Sequence, residues 1–414
     1  MRKMTALLSF VQEHLEDDVT RLVLDRARWP EIDMDLAAAC IESRRKLRYK
    51  VQEWHDNPEL IFPVRLSAEQ CSSTATGLYK SGLAERIAQK QQFRLADLTG
   101  GLGVDSWFFS KRAEKVLYNE MQGPLCEAAE HNFKALGSNN VIISNDIASI
   151  ETIDSLLGVF DPDIIYLDPA RRGEGGRKVF LIEECTPDVL GLKESLFKHA
   201  RHILLKLSPM ADVSMVCSRL GNTCREVHIV AAGGECKELL VWMDREWSGK
   251  YGITAAELPA DYPATKPAIF TFLPDAEKEK VADICTTMPS EGTYLFEPGK
   301  ALMKSGCFNL IGRNLGMVKL GRSTHFYLTD DVLKAKSLKN LGRVYRIINC
   351  VPLDKRSIKE AGKTYPRAEV TARNIQMDTD TLRKKLGVTS GDDAHIFGLK
   401  ADTLGNLLIT TDRL

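Results

Sequence analysis

The sequence has no CxxC pair: its ten cysteines stand singly between Cys40 and Cys350, and the eight histidines form no ligand-spaced cluster with them. A zinc finger or ribbon is therefore not expected, and a chain of 414 residues needs no disulfide staples, so the thiols are read as reduced and mostly buried. No uncharged apolar run reaches the roughly 18–20 residues of a membrane-spanning helix, so no membrane partner is expected. In the opening MRKMTALLSFVQEHLEDD, residues Gln12, Glu13 and Glu16 interrupt the apolar run before a signal-peptide core forms, which predicts a cytoplasmic protein. Low-complexity segments and internal repeats are also missing. What remains is globular: 44% hydrophobic and 27% charged residues, at a length that implies more than one domain.

Net charge is missing too, since 56 Lys+Arg balance 56 Asp+Glu, but the balance is uneven along the chain. From Arg313 through Lys385 there are 17 Lys+Arg and 7 Asp+Glu, an excess of ten positive charges. Such a stretch is either a set of solvated lysine faces or the electrostatic footprint of a polyanion-binding module.

The first sixty residues read as helices. In DMDLAAACIESRRKLRYKVQEW, Leu36, Cys40, Leu47, Val51 and Trp54 recur at helical spacing, and Asp33 is placed as the N-cap. Arg44, Arg45, Lys46, Arg48 and Lys50 are expected on the other face, as a solvated surface or a polyanion contact. From Phe93 onward, the runs FRLADL, KVLYNEM, NVIISND, DIIYLDP and HILLKLSP alternate with helical pieces such as GPLCEAAEHNFKAL. Near-continuous hydrophobicity suits strands of a parallel sheet covered on both faces. In CREVHIVAAGGECKELLVWM, two β-prone runs flank Gly233 and Gly234 with too little chain for a helix, which predicts an antiparallel hairpin at the end of the sheet.

Prolines 259, 263 and 267 mark a linker. Beyond it, IFTFLP, the helix-like EKEKVADICTTM, PGKALMKSGCFNLIG and THFYL suffice for a small α/β unit. VYRIINCVP, RSIKEAGK, RAEVTARNI, TDTLRKKLGV and the hairpin AHIFGLKADTLGNLLIT form a last strand–helix–strand–helix–hairpin unit. The expected division is a helical region over 1–80, an α/β domain over 81–250, and small α/β domains over 265–330 and 331–414.

Chemistry concentrates at the ends of the predicted strands. The first is followed by DLTGGLGVD, where Asp97 precedes Gly100, Gly101 and Gly103, a loop able to bring backbone close to a ligand. A dinucleotide fingerprint needs glycine where Ser106 stands, so the fit to a nicotinamide cofactor is incomplete. The second strand ends at Glu120, followed by Met121; the third ends in Asn145-Asp146; the fourth ends in Asp168-Pro169-Ala170-Arg171-Arg172. Open α/β sheets bind ligands at this carboxyl edge.

This set resembles the class I S-adenosylmethionine-dependent methyltransferases, over roughly residues 85–245, and implies their Rossmann-like fold. The resemblance implies S-adenosylmethionine as cofactor, with Gly100, Gly101 and Gly103 against its methionine moiety and Asp97 near its ammonium. It also implies Glu120 on the ribose, Met121 against the adenine face and Asp146 on the adenine amino group. Gln70 and Ser72, in the upstream EQCSS, stand where the family often has a further cofactor-contacting motif. In nucleic-acid amino-methyltransferases of the class, the strand-four motif offers an acceptor side chain and a proline carbonyl to an exocyclic amine, and an aromatic ring stacks on the extruded base. Asp168 and Pro169 match those catalytic roles, but Ala170 replaces the second proline, and Arg171 stands where the aromatic would be, able to stack on a base or hold a phosphate. The loop RRGEGGRKVF is either a substrate lid or a plain connection. Lys206, at the end of strand five, either meets a phosphate or pairs with one of the acids.

EPGKALMKSGCFNLIG, with the strand–helix pattern after residue 340, resembles methyltransferases that carry a ferredoxin-like insert and a C-terminal THUMP-like domain. THUMP domains bind RNA, especially tRNA, so the resemblance implies modification of a base in tRNA or rRNA. A methyltransferase for a small molecule or protein, and a non-catalytic RNA-binding protein retaining the cofactor fold, stay open as alternatives.

Overall fold

The computed structural model describes residues 2–171, 182–279 and 281–413. The chain forms two compact units, one of residues 1–227 and 237–251, the other of 228–236 and 252–414. No helix among the described residues is long and apolar enough to cross a membrane.

The first unit begins with helices. Helix Met34–Leu47 starts where the sequence predicts it, Asp33 accepting the Leu36 amide at 3.1 Å. Cys40, Leu47, Val51 and Trp54 are buried, and Trp54 meets Trp107 edge to face at 5.8 Å. The N-terminal helices thus share one core with the sheet that follows, through Trp107, Phe108, Tyr118 and Phe133. Lys46 and Arg48 lie on the exposed surface, as expected, but Arg44 departs from that reading and Arg45 and Lys50 are half-buried. Arg44 is wholly buried, donating to the carbonyl oxygens of His55, Asn57, Pro58 and Leu60. Arg45 donates to the carbonyls of Leu15 and Asp17, Lys46 and Arg48 pair with Glu69 and Glu16, and Lys50 donates to the carbonyls of Glu69 and Cys71. Orphan carbonyls of the adjoining turns need donors, and arginine supplies several from one planar group.

The sheet of this unit contains β1 (Arg94–Asp97), β2 (Lys115–Asn119), β3 (Val141–Ser144), β4 (Ile164–Leu167) and β5 (His202–Leu207), all parallel. Two further strands follow along the chain, β6 (Cys224–Ala232), most of which falls in the second unit, and β7 (Glu235–Asp244), most of which falls in the first; Gly233 and Gly234 between them are both at positive φ. β7 runs antiparallel to β5, giving the order 3-2-1-4-5-7. The crossover helices include Val104–Ser110, Gly123–Ala135 and Val189–His199. Both α/β class and terminal antiparallel strand agree with the sequence reading. The order reverses between β1 and β4, and a doubly wound sheet opens its crevice at such a switch point.

In the second unit, β8 (Gly252–Leu258) pairs antiparallel with β9 (Ala268–Phe272). The IFTFLP run therefore turns back across the proline-rich stretch onto the strand before it, a pairing that local pattern does not specify. EKEKVADICTTM also departs from its helical expectation: the helix is confined to Pro274–Glu279. Lys319 instead bridges the following chain, its amide donating to Asp283 O and its carbonyl accepting from Cys285 N, both at 2.8 Å. Strand pairing overrides the weaker helix propensity there.

The remaining strands are β10 (Tyr294–Pro298), β11 (Val318–Lys319), β12 (Tyr327–Thr329), β13 (Gly342–Pro352), β14 (Arg367–Arg373), β15 (Thr389–Ala401) and β16 (Gly405–Arg413). They make one sheet in the order 11-12-10-13-16-15-14, antiparallel except for β14 beside β15. Helices Lys355–Thr364 and Thr379–Leu386 pack through Ile358, Leu382 and Leu386 on Val370 and Ile396. Lys355, Lys359 and Lys363 recur at four-residue spacing along an exposed helix face, and none is in an ion pair among the described residues.

Candidate active site

The carboxyl ends of β1 to β4 are tied together by hydrogen bonds. Glu120 Oε2 accepts from Gly101 N at 2.9 Å and Oε1 from Gln122 N at 3.0 Å, so the end of β2 grips the loop after β1. Asn119, one residue earlier, donates to Asp146 O at 3.1 Å and accepts from Asp146 N at 3.1 Å, which fixes the turn after β3. Asp168 N donates to Thr99 Oγ1 at 2.6 Å, joining the end of β4 to the same loop. The structure thus brings Asp97, Gly100, Gly101, Gly103, Glu120, Asp146 and Asp168 to one rim.

The glycines differ in what demands them. A Cβ on Gly100 would lie 2.2 Å from the Tyr118 ring, so internal packing already requires its absence. Gly103 has φ +92, and its Cβ would meet Phe133 at 3.0 Å. Gly101, at φ +52, faces open space, with nothing nearer than Thr99 O at 3.9 Å. It is the residue over which another molecule could pass close to the main chain.

Asp97 is 1% exposed, accepting from Ser106 Oγ at 2.6 Å and Thr99 N at 3.0 Å. Ser106, the residue that breaks the dinucleotide pattern, is thereby a buried partner of the acid. Burial pushes the Asp97 carboxyl up to about 7, only partly offset by those two bonds. Because the folded value lies above the unfolded one, the folded state binds the extra proton, and the stability this provides at low pH is lost as pH rises toward about 7. Asp97→Asn should therefore flatten the melting temperature between pH 5 and 8 relative to wild type; parallel curves would reject the assignment.

Met121 is 56% exposed, so it is a free apolar surface at the rim and not a core residue. Asp146 is half-buried, and its Oδ1 accepts from Ile147 N at 2.7 Å. Gln70 ends helix Arg65–Gln70 with an exposed side chain. Ser72 is drawn inward, donating to Asp105 Oδ2 at 3.0 Å and accepting from Lys80 Nζ at 2.9 Å. Pro169 follows Asp168 directly, and the backbone of Ala170 and Arg171 pairs antiparallel with Thr186 and Cys185. The Arg171 side chain and the rest of the loop, from Arg172, lie outside the described residues.

Beneath the rim runs a chain of charges that sequence reasoning largely missed. Lys206 Nζ lies 2.6 Å from Asp168 Oδ2 and 4.0 Å from Asp105 Oδ2, so of its two readings the ion pair is the one observed. Lys80, wholly buried, lies 2.7 Å from both oxygens of Glu238 and 3.4 Å from Asp105 Oδ1. Tyr166 donates to Asp105 Oδ2 at 2.7 Å. Burial alone would raise Asp105, but Lys80 and Lys206 hold it below the ordinary carboxylate value. Burial would likewise lower Lys206, yet Asp168 and Asp105 hold it above the ordinary lysine value. A cavity of about 470 Å³ beside Gln89, Asp163, Lys198 and His202 opens at the other edge of the sheet and shares none of these groups.

Comparison with known proteins agrees with the fold. Residues 294–335 match a ferredoxin-like domain family, and residues 342–413 a THUMP domain-like family. A crystal structure from Porphyromonas gingivalis W83, described as a "putative methyltransferase", is 28% identical, covering 100% of this chain and 98% of that one with a TM-score of 0.85. The chain joins a class I methyltransferase fold to ferredoxin-like and THUMP-like domains. A precorrin-6y C5,15-methyltransferase from Geobacter metallireducens GS-15 aligns at 14% identity over 41% of this chain and 87% of its own, with a TM-score of 0.27. An rRNA methylase from Streptococcus thermophilus aligns at 12% identity over 41% and 96%, with a TM-score of 0.30. Neither of these two bears on function. No curated protein sequence matches the chain.

Proposed function

We propose that the chain is an S-adenosylmethionine-dependent methyltransferase acting on RNA, with tRNA and rRNA as the substrate classes. The observation that carries the reading is the hydrogen bond from Gly101 N to Glu120, which places an open glycine, an acid and the exposed Met121 on the rim that also holds Asp168. These residues fit a sulfonium nucleoside: Glu120 suits ribose hydroxyls, Met121 an adenine face, Asp146 its amino group, and the space over Gly101 the amino-acid portion. The bound cofactor supplies an activated methyl group and its own leaving group. The protein has to align the acceptor and exclude water from it, tasks for Asp168, Pro169 and the elements around them. The resemblance to the Porphyromonas protein supports the methyl-transfer part of this reading.

For the partner, the support is the THUMP-like domain and the basic helix beside its sheet. Cations near a polyanion gain free energy by releasing its counterions, whatever the sequence.

Calorimetric titration with S-adenosylmethionine tests the cofactor. Glu120→Ala should weaken binding about 10- to 100-fold, as loss of charge-assisted hydrogen bonds implies; unchanged affinity would remove Glu120 from the site. For RNA, changing Lys355, Lys359 and Lys363 together to Glu should lower affinity and reduce the slope of log K against log salt by about two to three. A flat salt response in wild type would favour a small-molecule or protein substrate, and cofactor binding without transfer to RNA the non-catalytic alternative.

A further inference from the structure

Building on that reading, we propose that the methyl acceptor is an RNA group that attacks as its conjugate base, a ribose hydroxyl or a ring imide N–H, and not an exocyclic amine. Five ionisable side chains form one connected cluster under the rim: Lys80, Glu238, Asp105, Lys206 and Asp168. It holds three carboxylates and two ammonium groups. Lys80 is committed to Glu238 and Asp105, and Lys206 to Asp168 and Asp105, so one carboxylate is in excess. Asp168 is the member open to solvent, with a side chain 38% exposed against 13% for Lys206 and none for Lys80. The excess capacity therefore faces the place where substrate arrives.

The two kinds of acceptor place opposite demands on that place. An exocyclic amine attacks with a neutral lone pair and becomes more positive as it takes the methyl, so a neighbouring ammonium opposes it. A hydroxyl or imide becomes more negative as its proton departs, so it needs a carboxylate to receive the proton and a cation to hold the anion. Asp168 and Lys206, 2.6 Å apart, are that pair. The acceptor–hydrogen bond breaks and its proton passes to the Asp168 carboxylate. The freed electron pair forms the bond to the methyl carbon, and the carbon–sulfur bond of S-adenosylmethionine breaks with its pair staying on sulfur. Lys206, relieved of Asp168, faces the oxygen or nitrogen anion.

Lys206 keeps its charge for this task because Asp168 and Asp105 outweigh its burial. The other ionisable groups near it are Glu238 and, more weakly coupled, Lys50 and the Cys71 thiol. Tyr166 and Ser72 both donate to Asp105 Oδ2, the oxygen nearest Lys206. The backbone after Pro169 is taken up in the ladder with Thr186 and Cys185, and position 171 carries no aromatic ring. Lys206 and Asp168 are catalytic in this scheme, and Asp105, Lys80 and Glu238 position them.

The test is nucleoside mass spectrometry of tRNA and rRNA after incubation with the full chain and S-adenosylmethionine. Methyl groups on ribose 2′-oxygen, on N1 of guanosine or on N3 of uridine are expected, and the product distinguishes ribose from imide. Methylation of an exocyclic amine or a ring carbon overturns the inference while leaving the RNA methyltransferase reading intact; no methylated nucleoside overturns both. Lys206→Met should lower kcat about 100-fold or more with KM for RNA changed less than about threefold, and should move the pH–rate profile to higher pH. Lys206→Arg should recover most of the rate. Calorimetric titration of Lys206→Met with S-adenosylhomocysteine should give an affinity within about threefold of wild type. Loss of that binding along with turnover would mean that Lys206 only supports the fold, and would overturn its catalytic role.

Discussion

Lys80→Met is expected to destabilise the first unit by about 3–5 kcal/mol, read as a lower urea midpoint at unchanged slope. The ammonium of Lys80 is wholly buried, 2.7 Å from both oxygens of Glu238 and 2.9 Å from Ser72 Oγ. Without it, Glu238 and Asp105 are carboxylates in a medium that penalises charge, and the variant must desolvate them unpaired or bind protons to neutralise them. The pH dependence follows. In wild type, Lys80 and Lys206 hold Asp105 below its ordinary value, which contributes stability above that value and is lost as pH falls through the folded one. In the variant, the carboxylates are pushed up, so its deficit is greatest at neutral pH and shrinks on acidification. Glu238→Gln placed on top of Lys80→Met should recover part of the loss, a coupling of about 0.5–3 kcal/mol. Additive losses would mean that the two side chains do not share one network.

The elements around this network were legible because their signals are local. Five apolar runs alternating with helical pieces sufficed for a parallel sheet, two glycines between β-prone runs sufficed for a turn, and acids at the ends of the first four runs located the rim. Nothing local distinguishes Gly100 from Gly101. Only the structure places Tyr118 against the first and leaves space over the second. Within the basic helix face, Arg44 misled for a related reason: it finds its partners in the turns around residues 55–60, which no helical wheel contains.

The buried charges did leave a trace. Lys80 sits among apolar and small residues in TATGLYKSGLA, Glu238 opens ELLVWM, and Lys206 interrupts HILLKL. A charged residue inside a stretch destined for burial requires a partner. Three such residues, on a helix and two strands that the fold brings together, could have been read as partners of one another. Assigning Asp105 to the same set required coordinates, since in sequence it is a plain first-turn acid of helix Val104–Ser110.

Asp168→Ala is expected to lower kcat by about 10²–10⁴-fold, the usual contribution of a positioned proton acceptor, while affinity for S-adenosylmethionine stays within about threefold. Binding should survive because what Asp168 gives the glycine loop is a backbone bond, its amide donating to Thr99 Oγ1, and alanine keeps that amide. Folding should survive as well: the side chain is 38% exposed, and Lys206 retains Asp105 at 4.0 Å. Equal losses of binding and turnover would contradict the division of labour between Glu120 and Asp168. Asp168→Asn is the sharper variant. Asparagine keeps the shape and an oxygen that accepts a hydrogen bond, which is all an exocyclic amine would ask, but it cannot take a proton. If the acceptor has to lose its proton to attack, Asn must be nearly as inactive as Ala; a rate within about tenfold of wild type would mean that Asp168 only orients its substrate.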